Sequence, residues 1–184
     1  MAGIRFHHPC KSMPELIPVL TSGEIKKKVA RVARLISSDY QNEELVLIGV
    51  LKGAFIFLSD LARAISVPSK IDFVETSSYG AGTSSSGRVV IKKKVEIDIA
   101  GKHALLVEDI VDTGLTLKVL INHIKSFNPK TVKVCTLLDK QERRKENIHI
   151  DYVCHEVQTG YLVGYGLDHA DDYRHLPHIY ELKL

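Results

Sequence analysis

A chain of 184 residues, 45% of them hydrophobic, can fill one sizeable core, and at this length a single domain over 1–184 is expected. With 26% charged residues and a formal net charge of +3, it lacks the basic excess that would demand nucleic acid or an anionic membrane as partner. Its three cysteines, Cys10, Cys135 and Cys154, are odd in number and lack paired spacing, which argues against a disulfide framework or zinc knuckle and fits a reducing, cytoplasmic compartment.

The N-terminal "HHPCKSMPEL" carries metal-capable residues at His7 to Cys10 but no second ligand pair, so it reads as ordinary strand or loop. It shows no basic-then-apolar leader pattern, and no apolar run in the chain reaches the ~18 residues of a membrane span. "TSGEIKKKVARVARLISSDY" follows, with Ile25, Val29, Val32, Leu35 and Ile36 as a helical stripe and Thr21 with Glu24 as a capping box. "LVLIGV", Leu45 to Val50, is a continuous apolar run expected of a strand covered on both faces. After Lys52-Gly53, "AFIFLSDLARAI" has helical length, and "IDFVETSSY" reads as a second strand. "GAGTSSSG", Gly80 to Gly87, has little to bury against the entropy of ordering and predicts a mobile lid over about 78–90.

Val89 to Ile97 and "ALLVEDI" predict further strands, and Leu117, Leu120, Ile121 and Ile124 share a helical face that Asn128-Pro129 ends. "TVKVCTLLD" is another strand. This alternation implies parallel βαβ units in an α/β chain, with ligands at the carboxyl ends of strands. The core is expected over about 20–150. The segments 1–20 and 151–184 fall outside the alternation and are expected to pack together as a small hood. The lysine run at 92–94 and the basic run at 143–145 read as solvated surface.

The densest chemistry lies in "LLVEDIVDTGLTL", Leu105 to Leu117, where an apolar run meets Glu108, Asp109 and Asp112. Buried carboxylates are costly without partners, so three at one strand end suggest a site that needs negative charge. "DTGLT", Asp112 to Thr116, offers helix-start amides, the Thr113 and Thr116 hydroxyls and a glycine, which together make a phosphate cradle. A plain helix cap would explain Asp112 or Thr113 but not Glu108 and Asp109. Acids beside such a cradle suggest ribose hydroxyls or a divalent cation. The Gly-Lys-Ser/Thr of a Walker loop is absent, and the acids are misspaced for a phosphoaspartyl loop. Asp-Thr-Gly also occurs in dimeric aspartic proteases, but that fold is all-β, and here the tripeptide leads into a helix.

The stretch closely resembles the phosphoribosyl pyrophosphate motif of type I phosphoribosyltransferases: two apolar residues, an acid pair, two apolar residues, then Asp-Thr-Gly-x-Thr. "VLKGAFIF", "LLDKQERR" and "YLVGYGLDHADDYRHLP" resemble, in order, segments of hypoxanthine-guanine phosphoribosyltransferases, and with "SSYGAGTSSSG" the likeness covers most of the chain. It implies the type I phosphoribosyltransferase fold, a mainly parallel twisted sheet flanked by helices with a terminal hood. It also implies a cytoplasmic purine-salvage enzyme that transfers the 5-phosphoribosyl group to hypoxanthine or guanine, giving IMP or GMP and pyrophosphate, with Mg2+.

Residue by residue, the resemblance implies Asp112 as the catalytic base at purine N7. Thr113, Gly114, Leu115 and Thr116 would hold the 5′-phosphate, and Glu108 and Asp109 the ribose hydroxyls, directly or through magnesium. Lys52, Gly53 and Arg174 would bind pyrophosphate, with a cis peptide before Lys52. Lys140 would donate to the 6-oxo group, Tyr161 stack on the purine, Leu162 offer backbone groups, and Asp168 bind near the base edge and to metal. Ser78 and Tyr79 would begin the lid. A homodimer or homotetramer is implied, with no nucleic-acid or membrane partner. The competing reading is a non-catalytic nucleotide sensor that binds RNA or DNA, which would require a basic face.

Overall fold

The computed structural model describes residues 14–78 and 89–183. His7 to Cys10, Tyr79 and Gly80 to Gly87 lie outside the described residues, and with them the greater part of the expected lid. The chain order is β1 (Glu15–Leu20), α1 (Ser22–Asp39), β2 (Leu45–Leu51), α2 (Phe55–Ala64), β3 (Ser69–Ser78), β4 (Val89–Lys93), β5 (His103–Val111), α3 (Leu115–Lys125), β6 (Thr131–Lys140), β7 (Tyr152–Val157), β8 (Leu162–Val163) and β9 (Ile179–Lys183). Six strands form one sheet in the order β4-β3-β2-β5-β6-β7, antiparallel only at β4, and β1-β9-β8 form a second, antiparallel sheet.

Side-chain alternation along the central strands divides the core. Leu45 and Leu47 of β2 and Leu105 and Val107 of β5 pack beneath α1 and α2, whereas Val46, Ile48, Ala104 and Leu106 face α3. Two-sided burial explains why β2 and β5 read as unbroken apolar runs. A fully buried Leu or Ile contributes about 1.5–3 kcal/mol by leaving water, which offsets the ordering of the chain. Gly49 is required by packing. A Cβ there would lie 2.6 Å from Leu58 Cδ2, so α2 approaches β2 over a missing side chain.

α1 opens on the expected capping box, Thr21 and Glu24 each satisfying the other's backbone amide. Ile25, Val29, Val32 and Ile36 are buried, but Leu35 is 47% exposed and Ala33 takes its place on the inner face. Val32 and Ile36 already define the contact stripe, and the 100° step per residue swings position 35 outward.

Two boundaries differ from expectation. β4 ends at Lys93, because Asp72 accepts the amides of Glu96 and Ile97 at 2.6 and 2.9 Å and turns the chain off the ladder. β7 pairs with β6 in the six-stranded sheet, so the larger layer extends past Asp151 to Val157 rather than ending near 150. Its two-residue alternation is short and carries His155 and Glu156, which hid it in the sequence. No helix among the described residues is long and apolar enough to cross a membrane.

Candidate active site

The strand order reverses between β2 and β5, the place where an α/β sheet opens a crevice at its carboxyl ends. Lys52-Gly53 follows β2 there, and Glu108 and Asp109 lie near the end of β5. The two loops touch: a Cβ on Gly53 would fall 1.7 Å from Asp109 Oδ2, so any side chain there would have to displace that carboxylate. The Leu51–Lys52 peptide is cis, as the resemblance implied. From the turn after β8, Gly166 (φ 102°) meets Gly53 so closely that a Cβ would lie 2.2 Å from its carbonyl oxygen.

Glu108 is 7% exposed, and burial together with the adjacent Asp109 pushes its carboxyl well above the usual carboxylate range. Burial also raises Asp109, against the Ile110 amide and the nearby Arg174 guanidinium, which pull it down. A buried glutamate beside a half-buried aspartate, with so little counter-charge, has the chemistry to take cations or hydroxyl donors.

Arg174 donates to the Gly166 carbonyl at 2.8 Å and pairs with Asp168 at 2.7 Å and Asp171 at 3.2 Å. Lys52 Nζ reaches Asp171 at 3.1 Å. The expected pyrophosphate residues Lys52, Gly53 and Arg174 therefore converge with Asp168 and Asp109 around one corner. No group of three or more Asp, Glu, His or Cys side chains among the described residues is close enough to hold a metal alone. Glu108 and Asp109 nonetheless fit Mg2+, which is typically held by one or two carboxylates plus substrate phosphate oxygens.

At the neighbouring strand end, Asp112 has one carboxylate oxygen buried without a hydrogen-bond partner among the described residues, and the other pairs with Arg143. Asp112 is not a helix cap. The N-cap of α3 is Gly114, at φ 82°, with no side-chain cap bond. Gly114 is demanded by that left-handed backbone and by close packing, since a Cβ would lie 3.1 Å from the Glu146 carbonyl. Leu115 and Thr116 begin α3, whose leading amides have no partner within the helix. Thr113 Oγ accepts the Leu115 amide at 3.4 Å.

Lys140 is 6% exposed, and its ammonium donates to the Gly160 carbonyl at 2.8 Å and pairs with Glu142 at 3.2 Å. Tyr161 follows Gly160. It is 48% exposed, meets the His169 ring edge-on at 5.2 Å between centroids, and its hydroxyl approaches the Asp168 carbonyl at 3.5 Å. Leu162 is buried in β8. Ser78 ends β3 on the side of the sheet away from β6.

The sequence reading missed the basic run after Lys140. Arg143 is exposed as expected but pairs with Asp112, whereas Arg144 is not free surface: it pairs with Asp139 and donates to the carbonyls of Val111, Asp112 and Lys140. The other run is also anchored, because Lys93 pairs with Asp72 and Glu96. Arginines three and four residues past a strand end at the crevice were the available signal for the first. A cleft of about 650 Å³ between α1, α2 and the 175–177 segment contains none of the expected residues.

The chain matches the Phosphoribosyl transferase domain family over residues 19–170. It is 47% identical over 166 residues to the hypoxanthine-guanine phosphoribosyltransferase of Aquifex aeolicus, covering 90% of this chain and 93% of that one. It is 40% identical over 168 residues to the hypoxanthine phosphoribosyltransferase of Salmonella typhimurium, covering 90% and 94%. Among solved structures, a Trypanosoma cruzi hypoxanthine phosphoribosyl transferase superimposes with a TM-score of 0.87 at 39% identity over 95% of each chain. A Staphylococcus aureus hypoxanthine phosphoribosyltransferase does so with 0.86 at 40% identity over 90% of each. Sequence, strand order and crevice agree: the chain belongs to the phosphoribosyl transferase domain family, within its hypoxanthine-guanine phosphoribosyltransferase branch, and has the type I fold.

Proposed function

We propose that this phosphoribosyltransferase salvages 6-oxopurines, joining hypoxanthine or guanine to the ribosyl carbon of phosphoribosyl pyrophosphate to give IMP or GMP and pyrophosphate. One observation carries the reading. At the ends of adjacent parallel strands stand Asp112, with a buried carboxylate oxygen that has no partner among the described residues, and the buried ammonium of Lys140 beside Tyr161. An acceptor and a donor so arranged suit the two polar features of a 6-oxopurine, N7–H and the 6-oxygen. Lysine has donors only, which disfavours the exocyclic amine of adenine.

In this reading Asp112 takes the N7 proton as N9 bonds to the sugar, a contribution of roughly a hundred- to ten-thousand-fold in rate. Tyr161 stacks on the purine, worth about 0.5–1.5 kcal/mol beyond burial, and Leu162 offers backbone groups to the base edge. Thr113, Gly114, Leu115 and Thr116 receive the 5′-phosphate at the start of α3. Lys52, Gly53 and Arg174 hold the pyrophosphate, and Glu108 and Asp109 hold the ribose hydroxyls. Mg2+, when bound, would neutralise the leaving diphosphate, with Glu108, Asp109 and Asp168 as its protein-side acids. Ser78 and Tyr79 begin a lid that excludes water from the reacting sugar.

Residues 1–184 are read as one domain, hooded by the β1-β9-β8 sheet. Homo-oligomerisation and a cytoplasmic setting rest on the resemblance; sedimentation velocity tests the former. The deciding assay mixes the protein, Mg2+ and phosphoribosyl pyrophosphate with each purine base. Nucleotide and pyrophosphate should form from hypoxanthine or guanine and not from adenine. No product from either 6-oxopurine would contradict the proposal.

A further inference from the structure

We infer that Arg144 is a positioning residue that sets Asp112 relative to Lys140, the two side chains proposed above to grip the purine; the inference rests on that proposal. The β5–β6 ladder ends with Val111 opposite Asp139. Asp112 is the first residue past β5 and Lys140 the last of β6, just where backbone pairing stops holding the two strands in register. A single guanidinium takes over. Arg144 Nε donates to the Asp112 carbonyl at 2.9 Å, and Nη2 reaches the Val111 carbonyl at 3.0 Å and the Lys140 carbonyl at 3.2 Å. The same group pairs with the carboxylate of Asp139, which is 7% exposed and also accepts from Gln141 Nε2 at 2.6 Å.

The arrangement needs arginine. Five donors on a rigid plane can bond both strand ends at once, whereas a lysine ammonium is a point charge on a flexible stem. Arg144 differs from its neighbour, since Arg143 meets the Asp112 carboxylate with 61% of its side chain exposed. It differs also from the surrounding loop, which is fastened by backbone: the amides of Lys145 and Glu146 donate to the Thr113 carbonyl at 3.0 and 3.1 Å. Replacing the Arg144 side chain leaves those bonds, and with them the phosphate loop, in place. What is lost is the fixed spacing between the base-reading donor and the proton acceptor.

The test compares Arg144→Lys and Arg144→Gln with wild type, each also placed in an Asp112→Asn background, with melting temperature as a check of folding. In the wild-type background each substitution should lower kcat on the order of a hundredfold, the scale of a small misplacement of a reacting group. It should also raise the KM for the purine base and leave the KM for phosphoribosyl pyrophosphate unchanged. In the Asp112→Asn background the same substitution should cost little further kcat, because groups that act as a unit are non-additive. Equal kcat losses in both backgrounds, equal rises in both KM values, or full activity in Arg144→Lys would overturn the inference. Arg144→Lys keeps the charge beside Asp139 and decides the matter if Arg144→Gln does not fold. Wild type without nucleotide-forming activity overturns the proposed function and this inference with it; active wild type with additive losses overturns the inference alone.

Discussion

The ends of β5 and β6 lie side by side and treat their acids in opposite ways. Asp139, one residue before the end of β6, is buried but answered in full by Arg144 and Gln141. Glu108, buried, and Asp109, half-buried, lie near the end of β5 with each other for company, and loss of solvent pushes both carboxyls up. A protein selected for stability alone would not keep the second arrangement, since an uncompensated buried charge costs several kcal/mol. One strand end is completed within the fold; the acids of its neighbour have no such partner.

That contrast is broken most strongly at Asp112. Asp112→Asn should keep the melting temperature close to wild type and lose roughly 10²–10⁴ in kcat; steady-state rates near wild type would remove Asp112 from the chemistry. On the β6 side the large effect falls on stability. Asp139→Ala leaves the Arg144 guanidinium without its partner and should cost about 3 kcal/mol in urea unfolding.

A smaller effect is expected at Asp72. Burial alone would raise its carboxyl, but the amides of Ile97, Phe73 and Glu96 and the Lys93 ammonium outweigh it, so the carboxyl sits below the usual range. A group whose folded pKa is depressed contributes stability above its unfolded value, about 3.9, and loses it as pH falls through the lower folded value. Wild type should therefore weaken below pH ~4, and Asp72→Asn should be less stable at neutral pH with a flatter acid limb, read by urea midpoints across pH.

Glu108 has the opposite sign. Its raised folded pKa means the folded chain holds the proton more tightly than the unfolded one, so stability falls as pH rises above the unfolded value near 4.3. Glu108→Gln should thus raise the melting temperature of the ligand-free chain at neutral pH, about 2–4 °C for each kcal/mol of relieved repulsion.

Much of the layout was legible because its signals are local. The Thr21–Glu24 capping box, the two-sided apolar runs of β2 and β5 and the stripe of α3 each follow from a few neighbouring residues. The placement of Glu108, Asp109 and Asp112 at strand ends followed from the same alternation. What stayed hidden depends on partners distant in sequence. Arg144 looks like any surface arginine until the Asp112 and Val111 carbonyls arrive 32 and 33 residues away. The packing of Glu146 against Gly114 was hidden as well, because Glu146 lies in another loop. Lys93 belonged to a solvated run until Asp72 supplied a buried partner across the β3–β4 hairpin.

The central claim is that the acids of β5 serve a ligand rather than the fold. The direct measurement is the melting temperature of the Glu108→Gln, Asp109→Asn double variant beside wild type, with and without Mg2+ and phosphoribosyl pyrophosphate. The ligand-free double variant should melt above wild type and gain nothing from the added ligands, while wild type gains several degrees. A ligand-free melting temperature below wild type, with the ligand-induced rise intact, would contradict the account.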